Sequence, residues 1–166
     1  VDRDALANGK VIEYSGSEKP TRICVSCGQP IRGCNVKIVD EKREQLPDGV
    51  VGELAVTSLS IFDGYRNYPE KTAEVYDGEW YYTGDYGFIY EGEYYIIGRK
   101  KDIIIVAGKN IYPEDIEDAV TKVPGVLPGR VIAFGEEISD LGTEQVSVVA
   151  ETAITGTEER THLRRT

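Results

Sequence analysis

The run Gly98-Arg-Lys-Lys-Asp-Ile-Ile-Ile-Val-Ala-Gly-Lys-Asn-Ile-Tyr-Pro-Glu-Asp-Ile-Glu117 orders the reading of the whole chain. It opens on three adjacent cations, Arg99, Lys100 and Lys101, passes through an apolar strand, Ile103 to Val106, and turns at Gly108. Pro113 then announces a helix, since the first helical position is where a missing N–H costs least. The chain around this run is acidic, with 19 Lys and Arg against 29 Asp and Glu. Three cations directly ahead of a buried strand therefore mark a turn where a rigidly supported backbone can meet an anion.

Upstream, short apolar alternations follow one another between turn formers. Strands are predicted at Arg22–Ser26, Asn35–Val39, Gly52–Thr57, Glu79–Thr83, Phe88–Tyr90 and Glu93–Ile97. Val36 and Ile38 share one face with Lys37 on the other, and Leu54 and Val56 repeat the pattern. Turns such as Leu46-Pro47-Asp48-Gly49 separate them. Strands at this spacing predict a small β-barrel or sandwich rather than βαβ units. Residues 1–20 form a loop-rich lead-in with a short helix at Asp4–Ala7, and a second short helix follows Pro69. Downstream, Ile116, Ala119, Val120 and Val123 fall on one face of a helix over Pro113–Val123. Strands at Gly129–Phe134 and Val146–Ala150 follow, joined by an acidic loop over Gly135–Gln145, and a last helix is predicted at Glu158–Arg165. The fold class is α+β: a β-rich part over residues 1–97, then a small α+β part over 98–166, with the cationic turn between them.

Composition narrows the function. A hydrophobic content of 40% and a charged content of 29% are ordinary for a globular protein. A net charge of −10 argues against nucleic-acid binding, which needs a basic face to neutralise phosphates. The apolar run Ile103–Ala107 is far short of the roughly 20 residues that span a membrane, so no membrane span and a cytoplasmic location are expected. Cys24 and Cys27 have CxxC spacing, which raises metal or redox chemistry. A zinc site wants four ligands, however, and the only histidine is His162. Cys24, Cys27 and Cys34 are read as small buried residues of a reduced protein, with no metal site. The chain has no methionine and opens on Val1, so a piece of a longer chain is expected.

Two residues invite a chemical reading. Asp85 follows Thr83-Gly84 at a predicted strand end, where its carboxylate can accept from two vicinal hydroxyls such as those of a ribose; spacing alone favours the simpler reading, a turn Asp that caps local amides. One hairpin later comes Arg99, whose planar fork of donors suits phosphate or hydroxyl oxygens, although for Arg99 taken alone a surface ion pair is the simpler use. The hairpin brings the two side by side, and the pair says more than either residue. Gly108-Lys109-Asn110 fits neither a Walker A loop nor GxGxxG, and reads as a tight turn allowing close approach. With its single His162 in the tail, the chain holds no Ser-His-Asp or Cys-His set.

These motifs resemble the adenylate-forming superfamily of acyl-CoA synthetases, peptide-synthetase adenylation domains and luciferases. The resemblance rests on Tyr81-Tyr-Thr-Gly-Asp85, on Gly98-Arg-Lys-Lys-Asp102 with Gly108 and Tyr112-Pro-Glu-Asp-Ile-Glu117, and on Gly52-Glu-Leu-Ala-Val-Thr-Ser with Gly64-Tyr65 and Pro69-Glu-Lys-Thr72. Val25-Ser-Cys-Gly-Gln-Pro30, Gly108-Lys-Asn-Ile-Tyr-Pro113, Pro128-Gly-Arg-Val-Ile-Ala-Phe134 and Leu141-Gly-Thr-Glu144 are similar to the fatty-acyl-AMP ligases in particular. The resemblance implies a large N-terminal domain ending in a β-barrel subdomain, a hinge, and a small mobile C-terminal domain. It implies a reaction in which a carboxylic acid such as a fatty acid and ATP, with Mg2+, give an acyl-adenylate, which then passes to a thiol. That thiol is the phosphopantetheine of an acyl carrier protein, as in polyketide biosynthesis, or alternatively coenzyme A.

Residue by residue, Asp85 resembles the carboxylate that holds the ribose hydroxyls, Arg99 the cation near ribose and phosphate, and Ile96 a position near the adenine. Lys101 falls on the hinge position and Gly108 on the loop lining the thiol-arm tunnel. Lys100 receives no role. The ATP phosphate loop and the magnesium ligands are expected before Val1, and the family's catalytic lysine after Thr166, so no catalytic residue is assigned within the chain and the fragment alone is expected to be inactive. A rival from another class is a non-catalytic interaction module that retains the fold.

Overall fold

A computed structural model describes residues 1–14, 16, 20–138, 142–156, 159, 160 and 163. The chain divides into two compact units, Val1–Lys101 and Asp102–Thr166. The division falls just after Lys101, four residues beyond the one expected after Ile97.

The first unit is an open half-barrel of five antiparallel strands. After a short helix α1 (Arg3–Ala7), capped by the Asp2 carboxylate on Ala5 N–H, the strands are β1 (Cys34–Val39) and β2 (Gly52–Ser58). Helix α2 (Pro69–Val75) follows, with Pro69 in its first turn, then β3 (Tyr76–Asp77), β4 (Trp80–Tyr90) and β5 (Glu93–Arg99). β4 is the spine. It pairs with β2 along one edge, while β3 and then β5 succeed one another along the other. Both faces of the sheet are packed. Ile38, Leu54 and Phe88 are buried, and so are Val39, Ala55 and Tyr82, the last set with Trp80 against it. Cations cover that second aromatic face, with Lys37 4.1 Å from the Trp80 ring and Arg43 4.2 Å from that of Tyr82. Phe88 stacks on Tyr95 with ring centroids 4.8 Å apart.

The second unit holds a hairpin of β6 (Ile104–Val106) and β7 (Lys109–Ile111), helix α3 (Pro113–Thr121), and a long hairpin of β8 (Val126–Ile138) and β9 (Thr143–Thr152). α3 packs on β8, where the Glu117 carboxylate accepts from Ala133 N–H at 3.0 Å and so satisfies a strand-edge donor. Ile104, Tyr112 and Ala133 are buried in this unit. No described helix is long and apolar enough to cross a membrane.

Several local expectations are corrected. Arg22–Ser26 is extended but has no ladder, bonding instead to Val1 and, just beyond it, through Cys27 and Gly28 to Tyr94. Its alternation is therefore not a core face: Ile23 is 89% exposed. Cys24 and Cys27, on this segment, are not buried for the same reason, and Cys34, at the start of β1, is only partly buried. The two strands expected at Glu79–Thr83 and Phe88–Tyr90 are one, β4, because its pairing resumes beyond Asp85. The apolar run at Ile103–Val106 forms one arm of a hairpin, with Ile105 half exposed. The acidic loop expected over 135–145 is mostly ladder, since Gly135 to Ile138 pair with Val146 to Thr143. Of the helix expected at Glu158–Arg165, Glu159, Arg160 and Leu163 are helical, and the other residues, His162 among them, lie outside the described residues.

Gly87 shows how tightly the spine is packed. A Cβ there would sit 2.2 Å from Tyr95 O and 2.9 Å from Leu54 Cδ1. A glycine at such a place marks a close backbone approach. Gly87→Ala is expected to lower stability by about 2–3 kcal/mol, the scale of an overpacked core, read from the shift in the urea midpoint; an unchanged midpoint would show that β5 can move aside.

Candidate functional site

The site is built on an interruption of β4. Glu53 pairs with Tyr86 and Ala55 with Tyr82, so the single residue Leu54 on β2 faces Thr83, Gly84 and Asp85 on β4. Gly84 has φ +74°, a left-handed conformation that glycine adopts without the steric cost of a Cβ. The bulge takes two N–H groups out of the ladder, and side chains recapture both. The Glu53 carboxylate accepts from Gly84 N–H at 3.1 Å, and the Thr83 hydroxyl accepts from Asp85 N–H at 3.0 Å. The same hydroxyl donates to Leu54 O at 3.1 Å. Bulges of this kind re-aim a side chain, and here the side chain is Asp85. The sequence expectation of Asp85 at a strand end is thus corrected to Asp85 in a mid-strand bulge.

On the other edge of β4, Asp85 is registered against Arg99 of β5. Arg99 Nε lies 2.9 Å from Asp85 Oδ1, with the Asp85 side chain 27% and the Arg99 side chain 58% exposed. Among the described residues the second Asp85 oxygen and both Nη groups of Arg99 have no hydrogen-bond partner. A preorganised acceptor and two donors therefore face outward together. Ile96, also on β5, is an exposed apolar side chain at 49%. It lies beside a second irregularity, where one step from Tyr86 to Gly87 spans two from Gly98 to Ile96. The structure thus brings Asp85 and Arg99 into contact and places Ile96 on the strand that carries Arg99.

Lys100 and Lys101 belong to one 3-10 turn, Lys100–Asp102. Lys100 Nζ lies 2.9 Å from Glu41 Oε2 and 3.3 Å from Glu53 Oε2. Tyr86 OH donates to the other Glu41 oxygen at 2.7 Å. Burial opposes the ammonium charge, but the hydrogen bond to Glu41 and the Glu53 carboxylate hold the Lys100 pKa above the ordinary lysine value. The Lys100 hydrogen bond, with help from Tyr86, lowers that of Glu41. Burial and the Glu41 carboxylate push the Tyr86 phenol up. Lys101 and Asp102 are exposed.

In the second unit, Ala107 and Gly108 form the two-residue loop of the β6–β7 hairpin, at φ +49° and +77°. Two left-handed residues match the twist of a tight hairpin, but the alanine adopts that conformation at a steric cost. Thr143, at the start of β9, holds it. Its hydroxyl accepts from Ala107 N–H at 2.8 Å and donates to Ile105 O at 3.2 Å, as a strand neighbour's backbone would. The Glu144 carboxylate accepts from Ile105 N–H.

Residues 11–66 match the family described as AMP-binding enzyme. Over 161 residues the chain is 40% identical to a medium-chain-fatty-acid–[acyl-carrier-protein] ligase, JamA, of Moorena producens, covering 89% of this chain and 27% of that protein. It is 40% identical over 102 residues to a long-chain-fatty-acid–CoA ligase of Escherichia coli, covering 61% of this chain and 18% of the relative. A solved structure of the fatty acyl-adenylate ligases of E. coli and L. pneumophila matches 98% of this chain and 29% of its own, with TM-score 0.87 and 30% identity. The chain belongs to the adenylate-forming enzymes. It spans only about a quarter of that carrier-protein ligase, and between 18% and 32% of the first curated relatives it matches.

Within this adenylate-forming fold, sequence reading missed the supports. Glu53, Thr83 and Thr143 all stand inside quoted motifs, but only the register shows what their side chains hold. Leu141, quoted beside Thr143, lies outside the described residues. Among the described residues no three His, Cys, Asp or Glu side chains are grouped to hold a metal ion. Thr143→Val keeps the shape and removes the hydroxyl. Exchange of the Ala107 amide is expected to quicken roughly five- to ten-fold, as one hydrogen bond of about 1 kcal/mol is lost; unchanged exchange by NMR would show that the turn holds without it.

Proposed function

We propose that the protein containing this chain uses ATP to activate a carboxylic acid, of the fatty-acid class, as an acyl-adenylate and passes the acyl group to a thiol. A carboxylate oxygen of the acid attacks the α-phosphorus of ATP and pyrophosphate leaves. The thiol sulfur then attacks the acyl carbon and AMP leaves. The observation that carries this reading is the outward-facing Asp85–Arg99 pair on its bulge, a geometry suited to two vicinal hydroxyls and an adjacent phosphate. Asp85 holds the ribose hydroxyls, Arg99 the ribose and phosphate oxygens, and Ile96 offers an apolar surface to the adenine. Lys101 is the pivot between a β-barrel subdomain and a mobile second unit, and the loop at Gly108 lines the path of the thiol arm. No residue of this chain is assigned to the ATP phosphates, to Mg2+ or to the role of catalytic lysine.

For the acceptor, the reading favoured is the phosphopantetheine of an acyl carrier protein in the cytoplasm, in a polyketide setting. Two curated relatives, of Moorena producens and Streptomyces coeruleorubidus, are fatty-acid–[acyl-carrier-protein] ligases, and the first matches over 89% of the chain. The long-chain-fatty-acid–CoA ligases among the relatives favour coenzyme A as the second reading.

In the whole protein, Asp85→Asn is expected to raise KM for ATP and lower kcat/KM at least ten-fold in ATP–pyrophosphate exchange. That is the scale of one charge-assisted hydrogen bond, about 1.5–3 kcal/mol. Exchange at the parent rate would remove Asp85 from the site. Mass spectrometry of the products formed with both acceptors present separates the two readings, with acyl carrier protein the expected product and acyl-CoA the outcome that reverses the preference.

A further inference from the structure

The cation left without a role by the motifs is the most firmly held of the three. Arg99 is tied to Asp85 of β4, and Lys100, the next residue, is tied to Glu53 of β2 and to Glu41 beyond the end of β1. Lys101 and Asp102 are exposed members of the 3-10 turn, and among the described residues their side chains have no hydrogen-bond or ion-pair partner. Two residues with anchored side chains thus precede two whose side chains are not anchored, and the unit boundary falls between Lys101 and Asp102. The Glu53 carboxylate is only 14% exposed and uses its two oxygens differently: Oε1 takes Gly84 N–H of the bulge and Oε2 takes the Lys100 ammonium. Glu41 is largely exposed, so its share of the pairing is screened by solvent. The Glu53 carboxylate, much the better shielded of the two, carries the link. One side chain therefore braces the bulge that presents Asp85 and fastens the chain one residue before Lys101.

We propose that Glu53 and Lys100 are a positioning pair that confines backbone rotation to Lys101 and keeps the nucleotide-facing bulge in place while that rotation occurs. This rests on the reading of Asp85 as a ribose contact and Lys101 as the pivot. With Lys100 fastened, rotation begins at a defined point, so the second unit is presented reproducibly for each half-reaction. With Lys100 released, rotation spreads over two residues and presentation blurs in both orientations, while the Asp85–Arg99 contacts stay in place. Neither residue touches substrate; both act through the backbone they hold.

The test uses the whole protein and four variants. Lys100→Met is expected to lower kcat five- to twenty-fold in ATP–pyrophosphate exchange and in single-turnover transfer from preformed acyl-adenylate to the thiol, with KM for ATP changed less than two-fold. Lys100→Arg, which can still reach both carboxylates, is expected to stay within two-fold of the parent in both. Glu53→Gln keeps an oxygen for Gly84 N–H and loses only the charge facing Lys100. Its effect and that of Lys100→Met are expected to be non-additive, the double variant being no slower than the worse single one. A thermal melt of each variant shows that it folds. A rise in KM for ATP with Lys100→Met like that of Asp85→Asn, failure of Lys100→Arg to restore kcat, or multiplicative losses in the double variant would each overturn the proposal. Asp85→Asn, run alongside, reports separately on the underlying reading: if it leaves exchange untouched, the nucleotide site is wrong whatever Lys100 shows.

Discussion

The first unit depends on the Glu53 carboxylate beneath the β4 bulge. A strand that inserts extra residues leaves backbone donors without ladder partners, and an unsatisfied buried N–H is costly. Thr83 and Glu53 meet that demand with side-chain oxygens, which lets Gly84 adopt a left-handed φ and turns Asp85 toward Arg99. Packing on both faces of the sheet makes the arrangement rigid. Phe88, Leu54 and Ile38 close one side, and Tyr82, Ala55 and Val39 close the other. The candidate site is thus a controlled departure from β-pairing in the best-paired strand of the unit.

The second unit solves a related problem by other means. Its short hairpin has Ala107 in a left-handed conformation, and its β6 edge would otherwise lack partners. Thr143 supplies a hydroxyl that both accepts and donates, and Glu144 supplies an acceptor, so two consecutive side chains of β9 stand in for a strand. In both units, then, the turn named by a motif is held by polar side chains distant in sequence. Glu53 is 31 residues from Gly84, and Thr143 is 36 from Ala107.

Sequence alone established the α+β class, the helices after Pro69 and Pro113, and the proximity of Asp85 to Arg99. Each follows from local rules: proline at a helix start, strand alternation, and a hairpin that returns the chain beside itself. It also established the resemblance to adenylate-forming enzymes, whose motif spacing survives without any knowledge of contacts. Alternation misled at Ile23 and Val25, because a period of two reports an extended chain and not a paired one. It also cut β4 in two, because glycine is both a strand breaker and a bulge former.

Tertiary structure decided which of these glycines did which, since only pairing on both sides of a gap distinguishes an end from a bulge. It decided that Cys24 and Cys27 are not core residues, since residues 22–30 join no strand ladder. It also divided the three cations: Arg99 meets a carboxylate fourteen residues away across a hairpin, and Lys100 meets two that are 59 and 47 residues away. Local pattern carries the near contact because hairpin geometry determines it. The distant ones depend on how β2 and the turn after β1 come to lie beside β4, and that is set by the packing of the whole sheet.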